Sequence, residues 1–126
     1  MVITGIIIID GNGCLYGKLE GINQYILHRI IADLPRTMGR GSQRFQILRL
    51  NKRNEYIKKC HADAIELFTY NNNPTIENLV IAGTSLFKGE LKLLIEKDML
   101  YDIPCKLIDI SYGMEYGFNL VVVKDL

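Results

Sequence analysis

A chain of 126 residues, 48% apolar and 23% charged, has the size and composition of one ordinary domain able to bury a core. It holds no apolar run of about 18 residues, which excludes a membrane-spanning helix, and its net charge of +1 names no partner by itself. The three cysteines, Cys14, Cys60 and Cys105, are odd in number and form no Cys-x-x-Cys pair; this argues against a disulfide framework or a zinc site and for a reducing, cytoplasmic setting.

The opening segment lacks a basic stretch and ends in Asp10, so it reads as a strand and not as a signal peptide. Residues 6–9 are all isoleucine, and a run apolar on both faces belongs at the centre of a sheet. Asp10-Gly11-Asn12-Gly13 predicts a hairpin through residues that tolerate positive φ. Residues 14–19 return as a second strand, and residues 24–32, rich in β-branched and aromatic side chains, form a third. Asp33-Leu34-Pro35 ends it, because proline cannot donate to a ladder.

From Gln43 to Phe68 the period becomes helical. Ile57, Cys60, Ala64, Leu67 and Phe68 step by three and four onto one buried face, while Phe45, Ile47 and Leu48 continue a sparser stripe among arginines. At 1.5 Å per residue such a rod is about 39 Å long. Its second half is expected to pack on the sheet and its basic first half to project. The asparagines 71–73 and Pro74 stop it. Residues 79–83 read as a buried strand, Thr84 or Ser85 caps a helix over 86–96, and 107–110 form a last strand. Periodicity leaves 120–123 as either strand or one helical turn. The expected fold is α/β: a mixed five-stranded sheet that begins with a three-stranded meander, flanked by helices in a ribonuclease H-like layout, with one long projecting helix, over residues 1–126 as a single domain.

Charge is distributed unevenly. Between Arg36 and Lys59 lie eight basic residues and one acid, Glu55; the rest of the chain holds seven basic and thirteen acidic residues. A basic patch on an otherwise acidic domain is an electrostatic footprint for phosphate, most often nucleic acid, although the same pattern also fits a solvated face without a partner. Little else in the chain carries chemistry. His28 falls in a strand and His61 on the helix, with no third ligand at metal spacing, so both read as structural. No phosphate-cradling glycine motif occurs, and Ser42 has no nearby histidine to activate it. Asp10 and Asp109 both follow buried strands, but for Asp10 turn formation is the better account than half of a nuclease metal pair. Neither metal nor cofactor is called for.

In order along the chain, residues 9–13 (IDGNG), 32–35 (ADLP), Gly39-Arg40-Gly41, Arg44-Phe45, 49–53 (RLNKR), 82–88 (AGTSLFK) and 109–113 (DISYG) resemble the middle domain of eukaryotic class-one peptide chain release factors. The resemblance implies a loop and helix that reach the peptidyl-transferase centre of the large ribosomal subunit and promote hydrolysis of the peptidyl-tRNA ester. Family members carry Gly-Arg-Gly-Gly-Gln there; one alignment makes the corresponding residues Gly41, Ser42 and Gln43, with Gln43 placing water, and an equally parsimonious one matches Ser42 to the serine that usually follows the glutamine and leaves Gln43 without a counterpart. Arg36, Arg40, Arg44, Arg49, Lys52 and Arg53 become the RNA contacts that hold the loop. The departures are Ser42 at the second glycine and the lack of small residues between Gln43 and Arg44. The family's codon-reading domain and the domain that binds the GTPase release factor have no counterpart here, so this is either one domain of a longer chain or a short protein without codon recognition. A cytoplasmic monomer with no membrane partner is expected. The alternative is a non-catalytic ribosome- or RNA-binding module with a degenerate loop.

Overall fold

The structure, a computed structural model, describes residues 2–32, 34, 43–83, 87–98, 100–110, 117–119 and 121–122, with the side chain of Phe45 excepted. Strands β1 (Ile3–Ile9), β2 (Gly13–Glu20) and β3 (Asn23–Ile31) are followed by α1 (Gln43–Phe68). Then come β4 (Thr69–Tyr70), β5 (Asn73–Pro74), β6 (Asn78–Gly83), α2 (Phe87–Ile95) and β7 (Cys105–Asp109). The main sheet has the order β3-β2-β1-β6-β7. Its β1–β2 and β2–β3 pairs are antiparallel, and its β1–β6 and β6–β7 pairs are parallel, so the mixed five-stranded sheet with a leading meander is as expected.

The all-isoleucine run lies on β1, the central strand, and is buried on both faces. Ile7 and Ile9 point to the side covered by Tyr56, Ile57, Cys60, Ala64 and Phe68 of α1 and by Phe87, Leu91 and Ile95 of α2. Ile6 and Ile8 point to the other side, where Leu15, Val80 and Ala82 lie beneath Phe118 and Val121. Residues 117–119 and 121–122 are helical, so the described part of the segment left open is a helical turn, with residues 120 and 123 outside the described residues. It is a cover for the sheet's second face and not a strand. The capping candidates Thr84 and Ser85 lie outside the described residues.

The turns depart from expectation. The β1–β2 hairpin does not use left-handed backbone, which among the described residues occurs at Gly21, Asn71 and Asn72. Instead the Asp10 carboxylate accepts hydrogen bonds from the backbone N–H groups of Asn12 (2.8 Å) and Gly13 (3.1 Å), a side chain standing in for a turn. Asn71 (φ 50°) and Asn72 (φ 65°) do more than stop α1: they turn the chain back as the two-stranded ribbon β4–β5, which the sequence pattern did not announce because each strand is two residues long.

Gly83, opposite Ile9 in the β1–β6 ladder, is required by close approach. A Cβ there would sit 2.2 Å from the Ile9 carbonyl oxygen. At Gly17, next to a bulge in the β2–β3 ladder, the Phe118 ring fills the space a side chain would take.

Candidate functional site

The 26-residue α1 changes character along its length. Its carboxyl half carries the buried stripe of Tyr56, Ile57, Cys60, Ala64 and Phe68; Leu67, also expected there, is half-buried. Tyr56 is where the helix enters the core, its hydroxyl donating to the Asp10 carbonyl at 2.8 Å. One turn earlier Arg53 lies at the edge of the body. Its guanidinium stacks on the Phe87 ring at 3.9 Å and donates to Glu90 Oε2 at 2.7 Å, tying α1 to α2. Before Arg53 nearly every described side chain is exposed, so the amino half projects, and Gln43 stands thirteen residues, about 20 Å, from Tyr56.

Ile47 (54% exposed) and Leu48 (48%) do not continue the buried stripe as expected. Traced back by threes and fours from Cys60 and Tyr56, that stripe passes through Arg53, Arg49 and Gln46 instead. Ile47 and Leu48 therefore fall on the opposite side.

The candidate site residues divide by this geometry. Gln43 is the first residue of α1 and is exposed, as is Arg44 beside it. The first turn contains no acidic side chain, so the positive end of the helix dipole is reinforced by Arg44 and compensated by nothing within that turn. Lys52 is exposed on the projecting half. Arg49 and Arg53 share the inner side and, with Leu34, Gln46 and Leu50, line a cleft of about 430 Å³. Arg36, Arg40, Gly41 and Ser42 lie outside the described residues. Sequence reasoning missed Phe87 and Glu90 as the fixings of Arg53, since nothing local in the chain announces that α2 runs beside this turn. Within the 430 Å³ cleft, Arg53 is thus already paired inside the fold, whereas Arg49 has no carboxylate partner among the described residues.

The remaining polar groups serve the body of the domain. His28 Nε2 lies 3.0 Å from Asp63 Oδ2, which joins β3 to α1, and Lys59 donates to the same carboxylate at 3.1 Å. His61 Nε2 lies 3.0 Å from Asp98 Oδ2 but off the line of a hydrogen bond. Asp10 is committed to its turn, while Asp109, with a side chain 89% exposed, pairs with Lys88. The Tyr16 hydroxyl donates to the Cys60 carbonyl at 2.6 Å, and burial pushes both Tyr16 and Tyr56 far above the ordinary phenol range. All three cysteines are free, and burial pushes the Cys105 thiol up to about 11. Among the described residues no helix is long and apolar enough to cross a membrane.

A compact mixed sheet that presents glutamine and arginine at the end of a projecting helix matches one known class of domain. The family model described as eRF1 domain 2, the second domain of the eukaryotic release factor, matches residues 3–125, and the chain belongs to this family. It is 42% identical over 125 residues to eukaryotic peptide chain release factor subunit 1 of Caenorhabditis elegans and 39% identical over 122 residues to that of Dictyostelium discoideum. In each case 94% of this chain is covered, and the chain spans only 21% and 28% of those relatives' lengths. Among solved structures it is similar to the archaeal translation termination factor aRF1, with a TM-score of 0.73 and 22% identity over 97% of this chain and 34% of that one. It is also similar to Saccharomyces cerevisiae Dom34, a translation termination-like factor involved in RNA quality control, with a TM-score of 0.67 and 11% identity over 97% of this chain and 32% of that one. At these identities the two structures establish the fold.

Proposed function

We propose that this chain is the hydrolysis-promoting domain of a translation termination factor, acting at the peptidyl-transferase centre of the large ribosomal subunit on peptidyl-tRNA. The observation that carries the reading is the placement of Gln43, exposed at the first turn of a helix whose amino half is largely exposed, about 20 Å along the helix from Tyr56, where α1 enters the core. An amide has no pKa useful near neutrality, so Gln43 acts by position. Its side chain orients a water against the ester, and the electropositive first turn favours the oxyanion that forms as the water attacks. Gly41 and Ser42 supply the backbone before it, and Arg36, Arg40, Arg44, Arg49 and Lys52 hold ribosomal RNA phosphates. Arg53 acts chiefly as the strut that sets the helix on the body, because Glu90 and Phe87 already engage it. In the family, codon reading and contact with the GTPase release factor belong to other domains, and this domain itself acts as a cytoplasmic monomer.

The test is single-turnover release from ribosomes programmed with a stop codon, using this chain both alone and in place of the middle domain of a eukaryotic release factor. Gln43→Ala is expected to lower the release rate by about 100-fold with ribosome binding intact. An unchanged rate would refute the catalytic assignment. Ser42 in place of the family's second glycine supports a second reading, a ribosome-binding module that no longer promotes hydrolysis. That reading requires no release by the unaltered protein and ribosome binding that weakens steeply with salt.

A further inference from the structure

The cleft under the projecting half of α1 has a composition that the placement of Gln43 does not use. Its floor is apolar, with Leu34 from the end of the meander and Leu50 from α1; its polar groups are the Gln46 amide and two guanidiniums. Glu90 neutralises Arg53, so the positive charge left for a ligand is that of Arg49, half-buried and without a carboxylate partner among the described residues. At about 430 Å³ the cleft lies in the range of small-ligand sites.

We propose that this cleft holds one nucleotide of a single-stranded RNA, its phosphate on Arg49, its base against Leu34 and Leu50, and the base edge within reach of the Gln46 amide. This deepens the reading that α1 meets RNA, and rests on it. A carboxylate would answer Arg49 equally well but would leave the two leucines uncovered. A nucleotide offers a charge, a flat apolar face and a hydrogen-bonding edge, the three features that the lining pairs with.

The experiment is fluorescence anisotropy with the 126-residue chain and two labelled probes of equal length and charge, an RNA hexa-adenylate and its abasic counterpart. The hexa-adenylate is expected to bind about fivefold more tightly than the abasic probe, from the apolar area its base covers. Leu50→Ser is expected to erase that preference, and Arg49→Gln to weaken both probes about tenfold. Leu50 is 56% exposed and Arg49 is half-buried, so neither change falls in the core, and circular dichroism checks the fold of each variant. Equal binding of the two probes, wild-type binding by Arg49→Gln, or tighter binding of a hexaglutamate peptide overturns the proposal. The outcome is separable from that of the release assay: Gln43→Ala binds hexa-adenylate like the unaltered chain whether or not it still promotes release.

Discussion

At Gly83 the reason for the residue is the neighbouring strand. The hydrogen that stands where a Cβ would go faces the Ile9 carbonyl, and a parallel ladder held on both sides cannot open there without losing its hydrogen bonds. Gly83→Ala is expected to cost about 1–3 kcal/mol, read as a lower urea midpoint at unchanged slope. Tyr16 shows how a buried phenol ties stability to pH. Its pKa is raised in the fold, first by burial, so the folded state keeps a proton that the unfolded chain gives up near pH 10. The contribution is complete below pH 10 and is lost as pH rises above it, at about 1.4 kcal/mol per pH unit for each such group. Tyr56 behaves in the same way. Urea unfolding between pH 8 and 11 should therefore show stability falling on the alkaline side, and Tyr16→Phe should make the fall shallower even though it loses the bond to Cys60 at neutral pH. An unchanged slope in the phenylalanine variant would show that Tyr16 titrates alike in both states.

At the scale of the element, α1 is one helix with two environments. Its carboxyl half is legible in the sequence because a two-sided sheet needs an apolar stripe at helical spacing, and Ile57, Cys60, Ala64 and Phe68 are that stripe. Its amino half is legible as polar but not as oriented. The apolar Ile47 and Leu48 invite a packing role, and only the geometry shows that the body-facing side runs instead through Arg53 and Arg49, both half-buried, towards the exposed Gln46. Arginine suits the boundary, since its stem and planar head cover Phe87 while its charge meets Glu90. Arg53→Ala is expected to lower stability by about 1 kcal/mol, and Glu90→Ala by less, because the stack on Phe87 survives. A double-mutant cycle measures the coupling, and additivity of the two changes would mean that the pair does not brace α2 against α1.

For the whole molecule, separation of charge matters more than net charge. A near-neutral chain holds its positive potential on one projecting end, with Arg44 and Lys52 exposed there. Binding to large ribosomal subunits is expected to weaken with salt, and the double change Arg44→Ala, Lys52→Ala should reduce the log–log slope by about one to two. A slope unaffected by both changes would remove these residues from the interface. The body to which they are attached is held chiefly by its apolar core, which salt does not screen.

The order of the five main-sheet strands and the two long helices, the buried centre at β1 and the concentration of basic charge around Gln43 follow from the sequence by itself, since hydrophobic period, turn residues and charge are local properties of the chain. The family follows from the same residues, read in order. Contacts between distant segments were decided only by the tertiary structure. Asp10 builds its turn while Tyr56 anchors on its carbonyl, and Phe87 and Glu90 take Arg53 out of the free basic set. Leu34 meets Arg49 across a cleft that belongs to neither segment alone. Such pairings depend on how β3, α1 and α2 lie against one another, which is fixed by packing over the whole sheet and not by any local pattern.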